Sequence, residues 1–255
     1  MAGDDGAAWW VELGRVIVPV ACAGCGAPDV AWCPACRGAL AGPMVRCEED
    51  APRLDRLDGV PVLPVWACAP YTGPVREAVL AWKDRGRADL TGPVGDVFAD
   101  GVRPVAASIA VAVRSEGLPG LLVVGAPSSR AAVRRRGSDL VAGLAGRAAG
   151  ALVAGGVPAR PLGALEQARG ARDQVGLGSR ARRRNVAGRV RVRAGARLRG
   201  AAVVVVDDVL TTGATLAGAV DALEGAGARV LAGLVLAATP SPARRSPDIP
   251  AATRK

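Results

Sequence analysis

Residues 203–215 read VVVVDDVLTTGAT: four valines, two aspartates, then a turn of threonine, glycine and alanine. The run from Ala201 to Val206 is apolar and β-branched enough to be a central strand, which places Asp207 and Asp208 at its carboxyl end. In open α/β sheets, ligands gather at that end. Adjacent strand residues point to opposite faces, so the two carboxylates act together only if the chain turns there. Thr211, Thr212, Gly213, Ala214 and Thr215 supply a turn and lead straight into the apolar stretch from Leu216 to Leu223. As a helix, that stretch aims free N–H groups and a positive dipole end at the loop. Glycine at 213 lets the backbone approach an anion, and the threonines offer hydroxyl donors. An anion at the loop and vicinal hydroxyls at the carboxylates together describe a ribose 5-phosphate. The plainer alternative is a pair of solvated acids followed by a threonine N-cap. No Gly-Lys-Ser/Thr and no G-x-G-x-x-G after a strand competes for the phosphate.

Outward from this stretch, short apolar runs alternate with helical patterns. VLPVWACAPY reads as a strand, PVREAVLAWKDRG as a helix with proline in its first turn, LLVVGAP as a strand, and SDLVAGLAGRAAGALVAG as a helix. RVRVRAG reads as a short alternating strand, ATLAGAVDALEGAGA as a helix, and RVLAGLVLAAT as a final strand. Nearly all-apolar strands interleaved with helices predict an α/β fold, a parallel sheet covered on both faces. The expected organisation is an amphipathic helix over 1–20 (Trp9, Leu13, Val16, Ile17, Val20), a cysteine-rich module and linker over 21–59, the main domain over 60–239, and a disordered tail over 240–255.

The module carries Cys22-x-x-Cys25 and, after seven residues, Cys33-x-x-Cys36. Two such pairs suit tetrahedral Zn2+, since each C-x-x-C turn aims two sulfurs at one point. Four thiolates leave no open coordination position, so this is an expected structural zinc rather than a catalytic one. Cys47 and Cys68 fit no spacing rule and are expected to be a small buried residue and a strand residue.

The 255 residues carry 33 basic and 23 acidic side chains, net +10, with 31 arginines to 2 lysines. That balance favours phosphate-bearing partners without choosing among them, although the arginine bias also reflects composition. The chain has no histidine, which excludes Ser-His and Cys-His catalysis and imidazole zinc sites. No apolar run reaches the roughly 18 residues of a membrane span, and acids occupy the N-terminus, so a cytoplasmic location is expected.

Along its whole length VVVVDDVLTTGAT resembles the ribose-phosphate signature of type I phosphoribosyltransferases. With the cysteine-rich module in front, the chain from about Cys22 to Thr239 resembles the ComF family. Further landmarks are YTGPVREAVLAWKDRGRADL, APSSRAAVRRRG, and the stretch from Gln174 through Arg182 and Asn185. The resemblance implies a 5-phosphoribosyl diphosphate (PRPP) site that uses Mg2+. Asp207 and Asp208 would hold the ribose hydroxyls and Thr211 to Thr215 the 5-phosphate. Lys83, Ser128, Arg130 and Arg136 would lie on the pyrophosphate side, and Gln174 to Asn185 would form a lid. Val124-Gly125-Ala126-Pro127 and Ser138 replace the Val-Pro-Val-Pro and aromatic residues common in the family. The implied activity is transfer of a phosphoribosyl group to a nitrogen acceptor. The alternative expectation is an accessory role in DNA uptake or repair, binding single-stranded DNA or a helicase. A homo-oligomer is compatible with either.

Overall fold

The valine run forms the middle of the sheet. In the computed structural model, which describes residues 20–51, 54, 63–168 and 190–241, strand β7 (Ala202–Leu210) lies between β3 (Leu121–Gly125) and β8 (Arg229–Ala238), parallel to both. Beyond β8 lies β2 (Val65–Pro70), and beyond β3 lies β4 (Ala159–Pro161), again parallel. The two-residue strand β1 (Val45–Arg46) closes one edge antiparallel, giving the order β1-β2-β8-β7-β3-β4 among the described residues. Strands β5 (Leu165–Gln167) and β6 (Val190–Val192) form a separate antiparallel pair.

Val203 to Val206 are each fully buried, yet they serve two cores. Val204 and Val206 face helices α2 (Gly73–Lys83), α3 (Thr91–Ser115) and α5 (Leu140–Ala154), whereas Val203 and Val205 face α6 (Ala214–Gly225) and the β5–β6 pair. Strand alternation sends each neighbour to the opposite layer, which is why the run shows no polar residue until the aspartates. Burial of each such side chain contributes about 1.5–3 kcal/mol relative to leaving it exposed.

Helix α2 has Pro74 in its first turn, and α5 is capped by Asp139, whose carboxylate accepts the Ala142 N–H at 3.2 Å. Besides the short α1 (Pro34–Leu40) within the cysteine segment, two helices lay outside the sequence expectations. One is α3, interrupted in sequence by Gly92, Pro93, Gly95, Gly101 and Pro104. The other is the short α4 (Arg130–Arg136), capped by Ser129 and closed by Gly137 in the left-handed region.

Between Pro43 and Pro64 the described residues do more than connect. Cys47, Glu48, Ala51 and Leu54 are buried, and the Asp50 carboxylate accepts the Ser241 N–H at 3.1 Å. Glu48 takes the Val65 N–H at 3.1 Å and pairs with Arg46, which holds this segment to the start of β2. Apart from residues 20, 240 and 241, the expected N-terminal helix, lid and tail lie outside the described residues.

Candidate functional site

Strands β3 and β7 are neighbours, but the chain leaves them in opposite directions: β3 leads outward to β4, and β7 leads back to β8. A crevice opens between their carboxyl ends at such a reversal. Here it is a cleft of about 410 Å3 lined by Lys83, Ser128, Arg136, Asp207, Asp208, Thr211 and Thr215, among others.

The acidic pair reaches this cleft in an unexpected way. Strand β7 does not turn at the aspartates but runs on to Leu210 beside β8. Strand β3 has already ended, its last contact being the Ala126 N–H to the Val206 carbonyl at 2.7 Å. Asp208, with no strand opposite it on that side among the described residues, donates its N–H to Asp207 Oδ1 at 2.8 Å, and Val209 donates to Asp208 Oδ1 at 2.7 Å. Val206 and Val209, three residues apart, pack on the same face, so the alternation slips by one across the pair. That slip brings both carboxylates to one cleft without a turn.

Lys83, the last residue of α2, places Nζ 2.6 Å from Asp208 Oδ2. Burial pulls its ammonium down, but the charges of Asp208 and Asp207 outweigh this, and the net shift is upward. Burial, reinforced by the Asp208 charge, pushes the Asp207 carboxyl up to about 7.

At the turn, Thr211, Thr212 and Thr215 are exposed and Gly213 is buried with φ 79°. Gly213 precedes α6 without a side-chain cap, so the first N–H groups of that helix stay open for an anion. A β-carbon at Gly213 would sit 2.7 Å from Leu54 Cγ and 3.1 Å from Ala51 Cβ. The buried segment after β1 is therefore the floor of the turn.

On the opposite wall, the Ser128 hydroxyl donates to Asp139 at 2.8 Å, and Arg136 Nη1 donates to the Lys83 carbonyl at 3.1 Å. Arg136 lines the cleft, and its buried Nε has no hydrogen-bond partner among the described residues. Arg130 is placed apart from this group: it pairs with Glu166 at 3.3 Å beside a neighbouring cavity of about 270 Å3. Sequence reasoning did not single out Tyr71 and Gln167, which also line the cleft. Tyr71, the only tyrosine in the chain, directly follows β2, and that position was the available signal.

Apart from the cleft, the sulfurs of Cys22, Cys25, Cys33 and Cys36 lie within 4.8 Å of one another. Cys25 and Cys33 are 3.8 Å apart, close to the roughly 3.8 Å edge of a tetrahedron with about 2.3 Å metal–sulfur bonds. The Cys33 N–H points at Cys22 Sγ at 3.3 Å, and the Cys36 N–H at Cys33 Sγ at 3.5 Å. Burial raises the Cys22 thiol, but hydrogen bonds from Cys33 and its neighbours more than reverse this and bring it to about 6. The four side chains fit a structural metal ion. Cys47 and Cys68 stand outside the group, and burial holds the Cys68 thiol up at about 12.

This segment packs on α2. A β-carbon at Gly24 would meet Cys36 Sγ at 2.8 Å and the Pro74 carbonyl at 3.0 Å. At the other end of the helix, Arg87 donates to the carbonyls of Ala21 and Ala31 at 2.9 and 3.0 Å.

Residues 144–251 match the family described as phosphoribosyl transferase domain. Over that span the chain is phosphoribosyltransferase-like. The span contains the acidic pair and the threonine turn but leaves out Lys83, the loop after β3 and the four cysteines. Two solved structures, described as analysis of an invariant aspartic acid in HPRTs, alanine mutant and glutamic acid mutant, are each 18% identical. Each alignment covers 57% of this chain and 79% of that structure, with a TM-score of 0.37. No curated protein matches the chain significantly. Among the described residues, no helix is long and apolar enough to cross a membrane.

Proposed function

We propose that the chain binds PRPP in this cleft and transfers its phosphoribosyl group to a nitrogen acceptor. One observation carries the reading: paired carboxylates, an uncapped helix start behind a hydroxylated turn, and two basic side chains face a single cleft at the sheet's reversal point. Asp207 and Asp208 hold the ribose hydroxyls, Thr211 to Thr215 the 5-phosphate, and Lys83, Ser128 and Arg136 the pyrophosphate. In the transfer, the bond from C1 to the pyrophosphate oxygen breaks and the pyrophosphate keeps the electron pair. The acceptor nitrogen bonds C1 and releases its proton to solvent. The oxygen-only acidic pair suits Mg2+, which would neutralise the leaving pyrophosphate when bound with PRPP. The chain's own residues position the sugar and balance charge, which needs no histidine. Titration calorimetry with magnesium and PRPP tests the reading, and no detectable heat of binding would overturn it.

The raised Asp207 carboxyl gives the site a pH signature. Below about 7 it holds a proton and accepts sugar hydroxyls less well. PRPP affinity is expected to rise from pH 6 to pH 8, by up to about tenfold per unit below that value, with Asp207→Asn removing the Asp207-dependent part. The unliganded protein should show the opposite trend. Its folded state keeps a proton that the unfolded chain releases in the usual carboxyl range, so its stability falls as pH rises from about 4 towards 7. A melting series without ligand checks the sign.

The finer reading is a ComF-like pairing of a zinc module over 21–59 with a phosphoribosyltransferase-like domain over 60–239, working in the cytoplasm. Metal analysis of purified protein should give about one zinc per chain, and Cys36→Ser should lose it. A metal-free wild-type protein with an unchanged melting temperature would sink the zinc assignment.

A further inference from the structure

Two requirements of the proposed PRPP site conflict in the empty cleft. The ribose hydroxyls need Asp208 as an acceptor, and each of its oxygens, able to accept two bonds, already carries one partner, Oδ1 the Val209 N–H and Oδ2 the Lys83 Nζ whose charge competes for that carboxylate. The pyrophosphate needs cations, yet Lys83 is committed to that carboxylate. Arg136, which holds the Lys83 carbonyl, has no partner on its buried Nε among the described residues. One movement resolves both requirements.

We infer that Lys83 is an exchanging counter-ion, paired with Asp208 while the cleft is empty and transferred to the pyrophosphate when PRPP arrives. The inference rests on the PRPP reading and deepens it. Three observations support it. The Lys83 side chain is 35% exposed, so it can move, whereas Asp208 at 8% stays fixed in the sheet. The Lys83 backbone is pinned at the end of α2 by Arg136, so only the flexible four-carbon stem needs to swing. The residue type also stands against the composition. Of 33 basic residues only two are lysines, and an arginine here would tend to stay locked to the carboxylate by its planar fork.

The exchange separates two halves of one ligand. Ribose 5-phosphate carries the hydroxyls and the 5-phosphate but no pyrophosphate. In the exchange scheme it competes with Lys83 for Asp208 and brings no new anion to receive the lysine. Calorimetry at pH 8, above the value of the raised Asp207 carboxyl, should compare wild type, Lys83→Met and Lys83→Gln against three probes: ribose 5-phosphate, pyrophosphate with magnesium, and PRPP with magnesium. Both variants are expected to weaken pyrophosphate and PRPP by about tenfold or more while binding ribose 5-phosphate as well as wild type or up to about fivefold better. Melting curves of the variants confirm that each is folded.

Equal weakening of ribose 5-phosphate and PRPP would overturn the exchange, since Lys83 would then be orienting Asp208 for the sugar. Unchanged pyrophosphate binding would overturn it as well, leaving Lys83 a structural partner. If wild type binds none of the three probes, the PRPP reading itself fails and the exchange fails with it.

Discussion

Asp208→Asn is expected to weaken binding of PRPP with magnesium by at least about 100-fold, or about 2.7 kcal/mol, and to remove pyrophosphate release in parallel. The carboxylate is buried, its backbone N–H is held by Asp207 Oδ1 and its own Oδ1 by the Val209 N–H, so its position is fixed and Asp207 cannot shift to occupy it. An asparagine keeps the shape but turns an ionised acceptor into a neutral amide, one end of which offers donors where hydroxyl donors also point. Folding should survive. Lys83 is partly exposed and can return to water, so the lost ion pair costs about 1 kcal/mol of stability at most. Calorimetry for binding and a phosphate-release assay for turnover check the two effects, with a melting curve as control. Wild-type affinity in a folded Asp208→Asn protein would remove the acidic pair from the ribose site.

Gly213→Ala should be the most damaging single-methyl change in the cleft. The left-handed φ of 79° disfavours any β-carbon by about 1–2 kcal/mol. The new carbon would also meet Leu54 and Ala51, which are themselves completely buried and have nowhere to retreat, adding about 1–3 kcal/mol. The melting temperature should fall by about 5–15 °C, and the turn that offers N–H groups to the 5-phosphate should be displaced. Gly137→Ala is the internal control. That glycine is also left-handed, with φ 73°, but a β-carbon there meets nothing within 4 Å. It should lose only the conformational part, about 1–2 kcal/mol. Equal losses at the two positions would show that Leu54 and Ala51 do not support the turn.

The central strands were legible because their burial is total: a run such as Val203–Val206 has no alternative environment. The turn was legible because glycine and threonine chemistry is local. Helix α3 was not, and for a reason its packing explains. A β-carbon at Gly95 would sit 3.1 Å from Arg147 Nε and one at Gly101 would sit 3.0 Å from Cys68 Sγ, so the residues that mask the helix in sequence are the ones that let it lie close to α5 and β2. The segment from Cys47 to Leu54 read as a connector because its contacts, with Gly213 and Ser241, lie far away in the chain. The acidic pair was found, but not the way it is presented. The slip in side-chain alternation is shared with β8, where the adjacent Leu236 and Ala237 both pack on the face of Val206 and Val209, so it belongs to the paired strands and no pattern within β7 alone reveals it.

The embrace of α2 by the four-cysteine segment limits what can be exchanged between proteins. Gly24, wedged between Cys36 and Pro74, abuts one end of the helix, Arg87 ties down the chain beyond the other, and Lys83 leaves the helix between these two anchors. A transplant that supplied only the correct sulfur spacing would bind its metal and still leave the cleft's lysine adrift. What has to travel together is a matched surface, one glycine without a side chain and one arginine reaching two carbonyls.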